Sequence, residues 1–337
     1  MSWQILEFAG FKELIAQPLE LPTRAKRKRA KLKRGREVRF RPTIVHISIS
    51  LWVIVIFFLV FFPNIGPAIA TAQAAPFAPS DAWVGSLTWL KENTPDPFGN
   101  PDFYYELPEP ALSPKPAYGV MAWWDYGYWI NRIAHRVPNT NPSQPSIPIT
   151  NTAGFFLSQD ENSTNEIIEE MGSSYIIIDY QTVTGKFYAV AMWAGRERTE
   201  FFDVYYLPQE GKLMPVQLFH PEYYRSLVAR LYNFDGKAVT PEKTMVISYQ
   251  ELVSQKGIPF KAITSKQEFS SYEAATAYIL SQKSANYKIV GTNPFISPVP
   301  LEALEHCKLI YSSDNGVAHR EVGMVPEVKV FQYMGDK

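Results

Sequence analysis

The chain has 337 residues, enough for two domains of ordinary size, and its 33 Lys or Arg balance 33 Asp or Glu. That neutrality conceals an asymmetry: Arg24 to Arg41 holds 11 Lys or Arg against one Glu, leaving 22 basic and 32 acidic residues elsewhere. A single cysteine, Cys307, excludes an internal disulfide and a thiolate metal site and reads as a small buried apolar residue. A basic block beside an apolar span, with an acidic body beyond, indicates a membrane protein with sided charge. A nucleic-acid arm is the competing reading of the block, and its apolar neighbour argues against it.

Residues 1–22 carry Trp3, Ile5, Leu6, Phe8, Phe11, Leu14 and Ile15 near a helical period. Two readings stand: an amphipathic helix on the cytoplasmic membrane face, or a stub of a preceding transmembrane region. From Ile44 to Phe62 there are 19 residues without Lys, Arg, Asp or Glu, long enough to cross the hydrocarbon core, with Pro63 expected to end the helix. Ala72-Gln73-Ala74 resembles a signal-peptide cleavage site, but more than 40 residues would precede the apolar core, so a retained anchor over 44–66 is expected. The basic segment 1–43 is then cytoplasmic, and residues after about 66 are extracytoplasmic, on the outer side of the cell membrane.

Pro63 to Pro79 reads as an Ala/Pro-rich linker. Ser80 or Asp81 caps a predicted helix to about Asn93, with Trp83, Leu87 and Leu90 on one face. Residues 94–117, rich in Pro, Asp and aromatics, read as a surface loop. Next come three tryptophans and two tyrosines within seven residues, Trp123-Trp124-Asp125-Tyr126-Gly127-Tyr128-Trp129, opening a helix-prone segment that ends near His135. Asn139 to Pro148 holds three prolines and reads as loop. A helix is predicted over 158–172, with Ile167, Ile168 and Met171 inward. Tyr175 to Ile178 reads as a strand buried on both faces that yields to a loop at Asp179. Phe201 to Leu218 suits one or two strands, and Tyr223 to Asn233 a helix with Leu227, Leu231 and Tyr232 apolar. After Lys243 the texture changes to strands at 244–249, 288–291, 308–311 and 328–331, with a helix over 271–282. The fold class expected is α+β: one N-terminal transmembrane helix, a mixed helical and β extracytoplasmic core over 76–243, and a smaller α/β-mixed layer over 244–337.

The aromatic run carries the chemistry. Indole and phenol rings supply rigid apolar area with a polar tip, suited to gripping a small group. Asp125, when ionised, only accepts hydrogen bonds, so it suits a hydroxyl or amide donor. Gly127 permits a turn or a close backbone approach. The plainer reading is an aromatic core cluster with one capping Asp. The histidines at 46, 135, 220, 306 and 319 show no metal-ligand spacing, and no phosphate loop or Ser/His/Asp triad is present. Asp160-Glu161 and Glu169-Glu170 read as solvated helix ends. Asn162-Ser163-Thr164 is itself an Asn-x-Thr glycosylation acceptor.

Trp123 to Gly127 resembles the WWDYG motif of the catalytic subunit of oligosaccharyltransferase, the membrane enzyme that moves a lipid-linked glycan onto asparagine. Ala82-Trp83 through Leu90-Lys91-Glu92-Asn93-Thr94-Pro95 resembles the segment preceding the motif in archaeal members. Tyr223-Tyr224-Arg225 through Arg230-Leu231-Tyr232-Asn233-Phe234-Asp235-Gly236 resembles one that follows it. The likeness runs from about residue 44 to the end and is nearest methanogen-type sequences.

The resemblance implies transfer of a dolichyl phosphate-type lipid-linked oligosaccharide to Asn in Asn-x-Ser/Thr sequons. This chain would supply the acceptor site, with Trp123, Trp124 and Asp125 holding the Ser or Thr hydroxyl while Tyr126 and Gly127 shape the turn. A second family element, an Asp and a Lys followed by an apolar Met or Ile, is matched by Asp179, Lys186 and Val190, with Val departing from the family pattern. The plainer readings are a helix N-cap for Asp179 and a solvated charge for Lys186. In the family a divalent metal, Mn or Mg, and the lipid-linked donor bind in a multi-span region before the last membrane helix. The chain is therefore expected to bind no metal, to hold no catalytic residue, and to partner acceptor polypeptides, the membrane and the multi-span half, but no nucleic acid. The alternatives are a membrane-anchored sequon-binding module without transferase activity, and an extracellular glycan-binding domain.

Overall fold

In a computed structural model, residues 44–75, 78–105, 114–282, 284 and 286–335 are described. The basic block and the amphipathic or membrane-stub segment expected over 1–22 lie outside the described residues. The chain divides into two units, Met1–Phe77 and Ala78–Lys337.

The first unit shows one helix, α1 (Ile44–Ala74), which is apolar all round. Its stretch His46–Gln73 is long and apolar enough to cross a membrane. The sequence placed a stop at Pro63 and a linker after it; the helix instead continues through Pro63 and Pro67. Each proline deletes one backbone donor locally, while the Ile- and Ala-rich turns around it keep their own hydrogen bonds. Asn64 Nδ2 donates to the Val60 carbonyl at 2.6 Å, one turn back along the helix.

In the second unit the apolar run Tyr175–Ile178 does become a strand. With β1 (Gly119–Met121), β2 (Ser173–Asp179), β8 (Cys307–Ser312) and β11 (Val328–Tyr333), it forms a sheet of order β1-β2-β11-β8. β1 is parallel to β2, and β11 is antiparallel to both β2 and β8. Ile176, Ile177 and Ile178 are at most 1% exposed, which explains why the run lacks polar alternation. Helix α2 (Asp81–Asn93) is capped by Ser80, whose Oγ accepts from Trp83 N, and it turns Trp83, Leu87 and Leu90 into the same core.

Arg136, 2% exposed, pins the far end of α2. Its Nη2 donates to the Lys91 and Thr94 carbonyls at 2.9 and 2.6 Å, and its Nε to Thr94 Oγ1 at 2.8 Å. A cation there meets the unsatisfied carbonyls at the negative end of the helix.

A second sheet, order β4-β3-β6-β5-β7, is built from β3 (Phe202–Gln209), β4 (Lys212–Phe219), β5 (Thr244–Val253), β6 (Pro259–Phe269) and β7 (Tyr287–Val290). It curls until Phe219 and Gly291 exchange both backbone hydrogen bonds, around Tyr205, Leu218, Ile247, Tyr249, Ile263 and Val290. Strands after residue 243 thus pair with strands before it in both sheets. The mixed α+β class holds, but residue 243 does not divide compact units as expected: 78–337 is one unit.

Other differences have local causes. Helix α3 (Ser146–Leu157) stands where a loop reaching Pro148 was expected. Pro148 falls in its first turn, where backbone N–H groups have no partner to lose. The helix expected over 158–172 is α4 (Glu161–Glu170), started by Asp160, whose Oδ2 accepts from Ser163 N at 2.8 Å. Ile168 is fully buried there, while Ile167 and Met171 are partly buried. The loop expected after Asp179 is a short helix, α5 (Tyr180–Val183). The helix expected over 223–233 is split at Ser226, whose ψ of 141° is extended. Strand β6 and a hairpin of β9 (Gly316–His319) with β10 (Gly323–Pro326) had no sequence expectation.

Ile177→Ala, in the centre of β2, should lower unfolding stability by roughly 2–4 kcal/mol, read as a reduced denaturant midpoint of the full chain.

Candidate functional site

The aromatic run lies between β1 and Arg136, and it passes through three helical pitches. A 3-10 turn (Trp124–Tyr126) passes to an α turn (Gly127–Trp129) and then to a π turn (Ile130–Ala134), ended by His135 at φ 50°. Such mixed-pitch helices re-aim successive side chains. Trp123 is 2% exposed and Tyr126 4%, both in the core, while Trp124 and Trp129 pack against it half-buried. Gly127 has ordinary helical backbone angles. Its requirement is space, because a Cβ there would sit 2.6 Å from Asn141 Cα and closer still to the Thr140 carbonyl oxygen.

Asp179 organises the interior. It is 2% exposed, at the end of β2. Its Oδ1 accepts from Thr182 N at 2.9 Å and Thr182 Oγ1 at 2.6 Å, capping α5. Its Oδ2 accepts from the Tyr126 hydroxyl at 2.5 Å and from Trp83 Nε1 at 3.4 Å. Four donors use the acceptor capacity of the carboxylate. Trp83 also packs on Tyr126, ring centroids 4.2 Å apart, and edge-on to Trp129 at 5.6 Å.

Lys186, just before α6 (Phe187–Trp193), links this interior to the surface. Its Nζ donates to Tyr126 Oη at 2.9 Å and pairs with Asp125 Oδ2 at 2.5 Å, while lying 4.3 Å from the Tyr126 ring centroid. The side chains of Lys186 and Asp125 are 31% and 27% exposed, so the pair meets solvent. The Tyr126 phenol has its pKa raised, first by burial and then by the neighbouring Asp179 carboxylate. It stays protonated and holds Lys186 on one side and Asp179 on the other. Trp124 Nε1 is buried and has no acceptor among the described residues.

The structure therefore brings Trp123, Trp124, Asp125, Tyr126, Gly127, Asp179 and Lys186 into one constellation from three stretches of chain. Asp179 faces inward, onto Tyr126 and Trp83. Val190, on α6, is wholly buried. Asn162 is exposed on the first turn of α4. Sequence reasoning assigned no site role to Trp83 or Thr182. The signal for Trp83 was available, since a buried indole N–H requires an acceptor, and Asp179 is the acceptor it finds. Among the described residues no three His, Cys, Asp or Glu side chains are grouped so as to hold a metal ion.

Comparison with known proteins decides the family. Residues 80–183 match the family model of the AglB core domain, a range that holds the aromatic run and Asp179. The dolichyl-monophosphooligosaccharide–protein glycotransferase AglB of Haloferax volcanii is 30% identical over 284 residues, covering 75% of this chain and 26% of that protein. The chain belongs to the archaeal oligosaccharyltransferase family.

Within that family, dolichyl-phosphooligosaccharide-protein glycotransferase 3 of Archaeoglobus fulgidus is 30% identical over 193 residues, or 48% of this chain and 22% of the relative. The chain thus spans about a quarter of the length of these oligosaccharyltransferases. Among solved structures, the apo A. fulgidus oligosaccharyltransferase aligns over 91% of this chain and 38% of its own, at 21% identity and a TM-score of 0.46. The same enzyme tethered to an acceptor peptide containing the NVT sequon aligns over 88% and 37%, at 20% identity and a TM-score of 0.47.

Gly127→Ala should destabilise the chain by roughly 1–3 kcal/mol through overpacking against Thr140 and Asn141, measured by thermal unfolding. A pH series tests Tyr126. Its folded pKa lies above the free value of 10.0, so its contribution is full below pH 10 and is lost as pH rises beyond, where only the unfolded chain ionises. Tm should fall on the alkaline side. Tyr126→Phe should make that fall shallower without abolishing it, because burial also raises Tyr223, Tyr224 and Tyr232.

Proposed function

We propose that this chain forms the acceptor-recognising part of an oligosaccharyltransferase that transfers a dolichyl phosphate-type lipid-linked glycan to Asn of Asn-x-Ser/Thr sequons. One observation carries the reading. Asp125, within the WWDYG run, is a solvent-reachable carboxylate held in place by Lys186, which is itself fixed by Tyr126 and Asp179. An acceptor's Ser or Thr hydroxyl donates to Asp125, and the half-buried ring of Trp124 packs on its carbon atoms, with Trp123 supporting that ring from the core.

In this reading Lys186 contacts the site directly, whereas Asp179 and Val190 support it from behind. Discrimination follows from desolvation. A peptide without the hydroxyl covers Asp125 without giving it a hydrogen bond, at a cost of about 1–3 kcal/mol. The apolar helix α1 serves as the membrane anchor, with the basic block on the cytoplasmic side and the domain outside. The divalent metal, Mn or Mg, and the lipid-linked donor belong to the multi-span region of the complete enzyme.

The full chain in nanodiscs should bind an Asn-x-Thr peptide more tightly than its Asn-x-Ala counterpart by roughly 1–3 kcal/mol, as titration would measure. Asp125→Ala should erase the difference. Equal affinity of wild type for both peptides would overturn the reading. Glycan transfer to the same peptide by membranes holding the whole system, lost in Asp125→Ala membranes, separates a transferase from a binding module.

A further inference from the structure

Among the asparagines, Asn162-Ser163-Thr164 has the acceptor pattern, whereas Asn141-Pro142-Ser143 is blocked by its central proline. The structure shows the two halves of the Asn162 sequon facing opposite ways. Asn162 is exposed on the first turn of α4, and Thr164 is 2% exposed with its Oγ1 donating to the Asp160 carbonyl at 2.8 Å. Ser163 N and Oγ both donate to Asp160 Oδ2 at 2.8 Å. The helix start is tied further to the rest of the domain, because Glu161 Oε1 accepts from Glu305 N at 2.8 Å and His306 N at 3.1 Å.

Periodicity explains the consequence. In an α-helix, residues i and i+2 point about 200° apart around the axis, whereas in an extended chain they lie on the same side. A site that takes the hydroxyl of the third residue while reacting at the first needs the extended form.

We propose that Asn162 is a glycan-acceptor site of this chain that is open before the domain folds and closed afterwards. The inference rests on the proposed function. In the transfer, a bond forms between Asn162 Nδ2 and the anomeric carbon of the glycan as that carbon's bond to the lipid phosphate oxygen breaks. The amide nitrogen loses one proton, and the lipid phosphate leaves. Folding then buries Thr164 in α4 and leaves the modified Asn162 facing solvent, so the glycan displaces no core residue. Reopening the site would undo the Asp160 cap, the burial of Thr164 and the tie from Glu161 to residues 305–306 at once.

The test has two measurements. Mass spectrometry of the full chain from its native membranes should find glycan on the peptide containing Asn162, with Asn162→Gln identifying the signal; an unmodified Asn162 would overturn the site. Then three acceptors are offered to native membranes supplied with lipid-linked glycan. They are the folded full chain made in a host without N-glycosylation, a peptide of residues 156–170, and an unrelated Asn-x-Thr peptide. The 156–170 peptide should be modified at a rate near that of the unrelated one, and the folded chain roughly tenfold more slowly or less, its extended form being a minor state. Equal rates for folded chain and peptide would overturn the closure. Failure of the 156–170 peptide alone would overturn the site. Failure of the unrelated peptide would remove the functional reading, and this inference with it.

Discussion

Everything at the surface of the site depends on one buried carboxylate. Asp179, at the end of the central strand β2, is held in place by Thr182, Tyr126 and Trp83. A carboxylate removed from water is tolerated only with such a complement of donors. Because the Tyr126 hydroxyl donates its hydrogen bond to Asp179, its oxygen is left to accept from Lys186, and the ammonium is thereby directed at Asp125. The chain Asp179–Tyr126–Lys186–Asp125 converts the rigidity of a strand buried on both faces into a fixed position for a partly exposed carboxylate.

That arrangement bears on how a hydroxyl would be recognised. Asp125 is less than one-third exposed and already carries a counter-ion, so its carboxylate is only partly hydrated. A hydroxyl donor replaces water on an acceptor whose direction is set beforehand, which limits the ordering cost of binding. The mixed-pitch run contributes by splitting the aromatics between core and surface: Trp123 and Tyr126 go into the core, and Trp124 and Asp125 reach its edge. Gly127 allows the run to lie directly on the Thr140–Asn141 backbone.

Much of this was legible in the sequence, and the exceptions have physical reasons. The continuous apolar run at Tyr175–Ile178 and the Ser80-capped pattern of Trp83, Leu87 and Leu90 mark elements by local periodicity, and both form. Prolines misled twice in opposite contexts. Pro148 falls in a first turn, where its missing N–H costs nothing, and Pro63 lies in a long apolar helix, where the surrounding turns hold. Strand β6 and the β9–β10 hairpin are stabilised by partners distant in sequence, which a local pattern does not encode. At the site, the grouping of Trp123 to Gly127 was visible as a cluster of residue types. The inward role of Asp179 was not, because its donors Trp83 and Tyr126 lie 96 and 53 residues away. The N-cap reading of Asp179 holds, since Oδ1 caps α5, and the same side chain holds Tyr126 through Oδ2.

The most direct measurement is a double-mutant cycle between the chain and its peptide, pairing Asp125→Asn with replacement of the sequon Thr by the near-isosteric Val. Affinities of the four combinations, determined with the full chain in nanodiscs, isolate the contact between the carboxylate and the hydroxyl. A hydrogen bond from the acceptor hydroxyl to Asp125 predicts a coupling of about 1–3 kcal/mol. Additive effects, within about 0.3–0.5 kcal/mol, would mean that Asp125 does not read the hydroxyl.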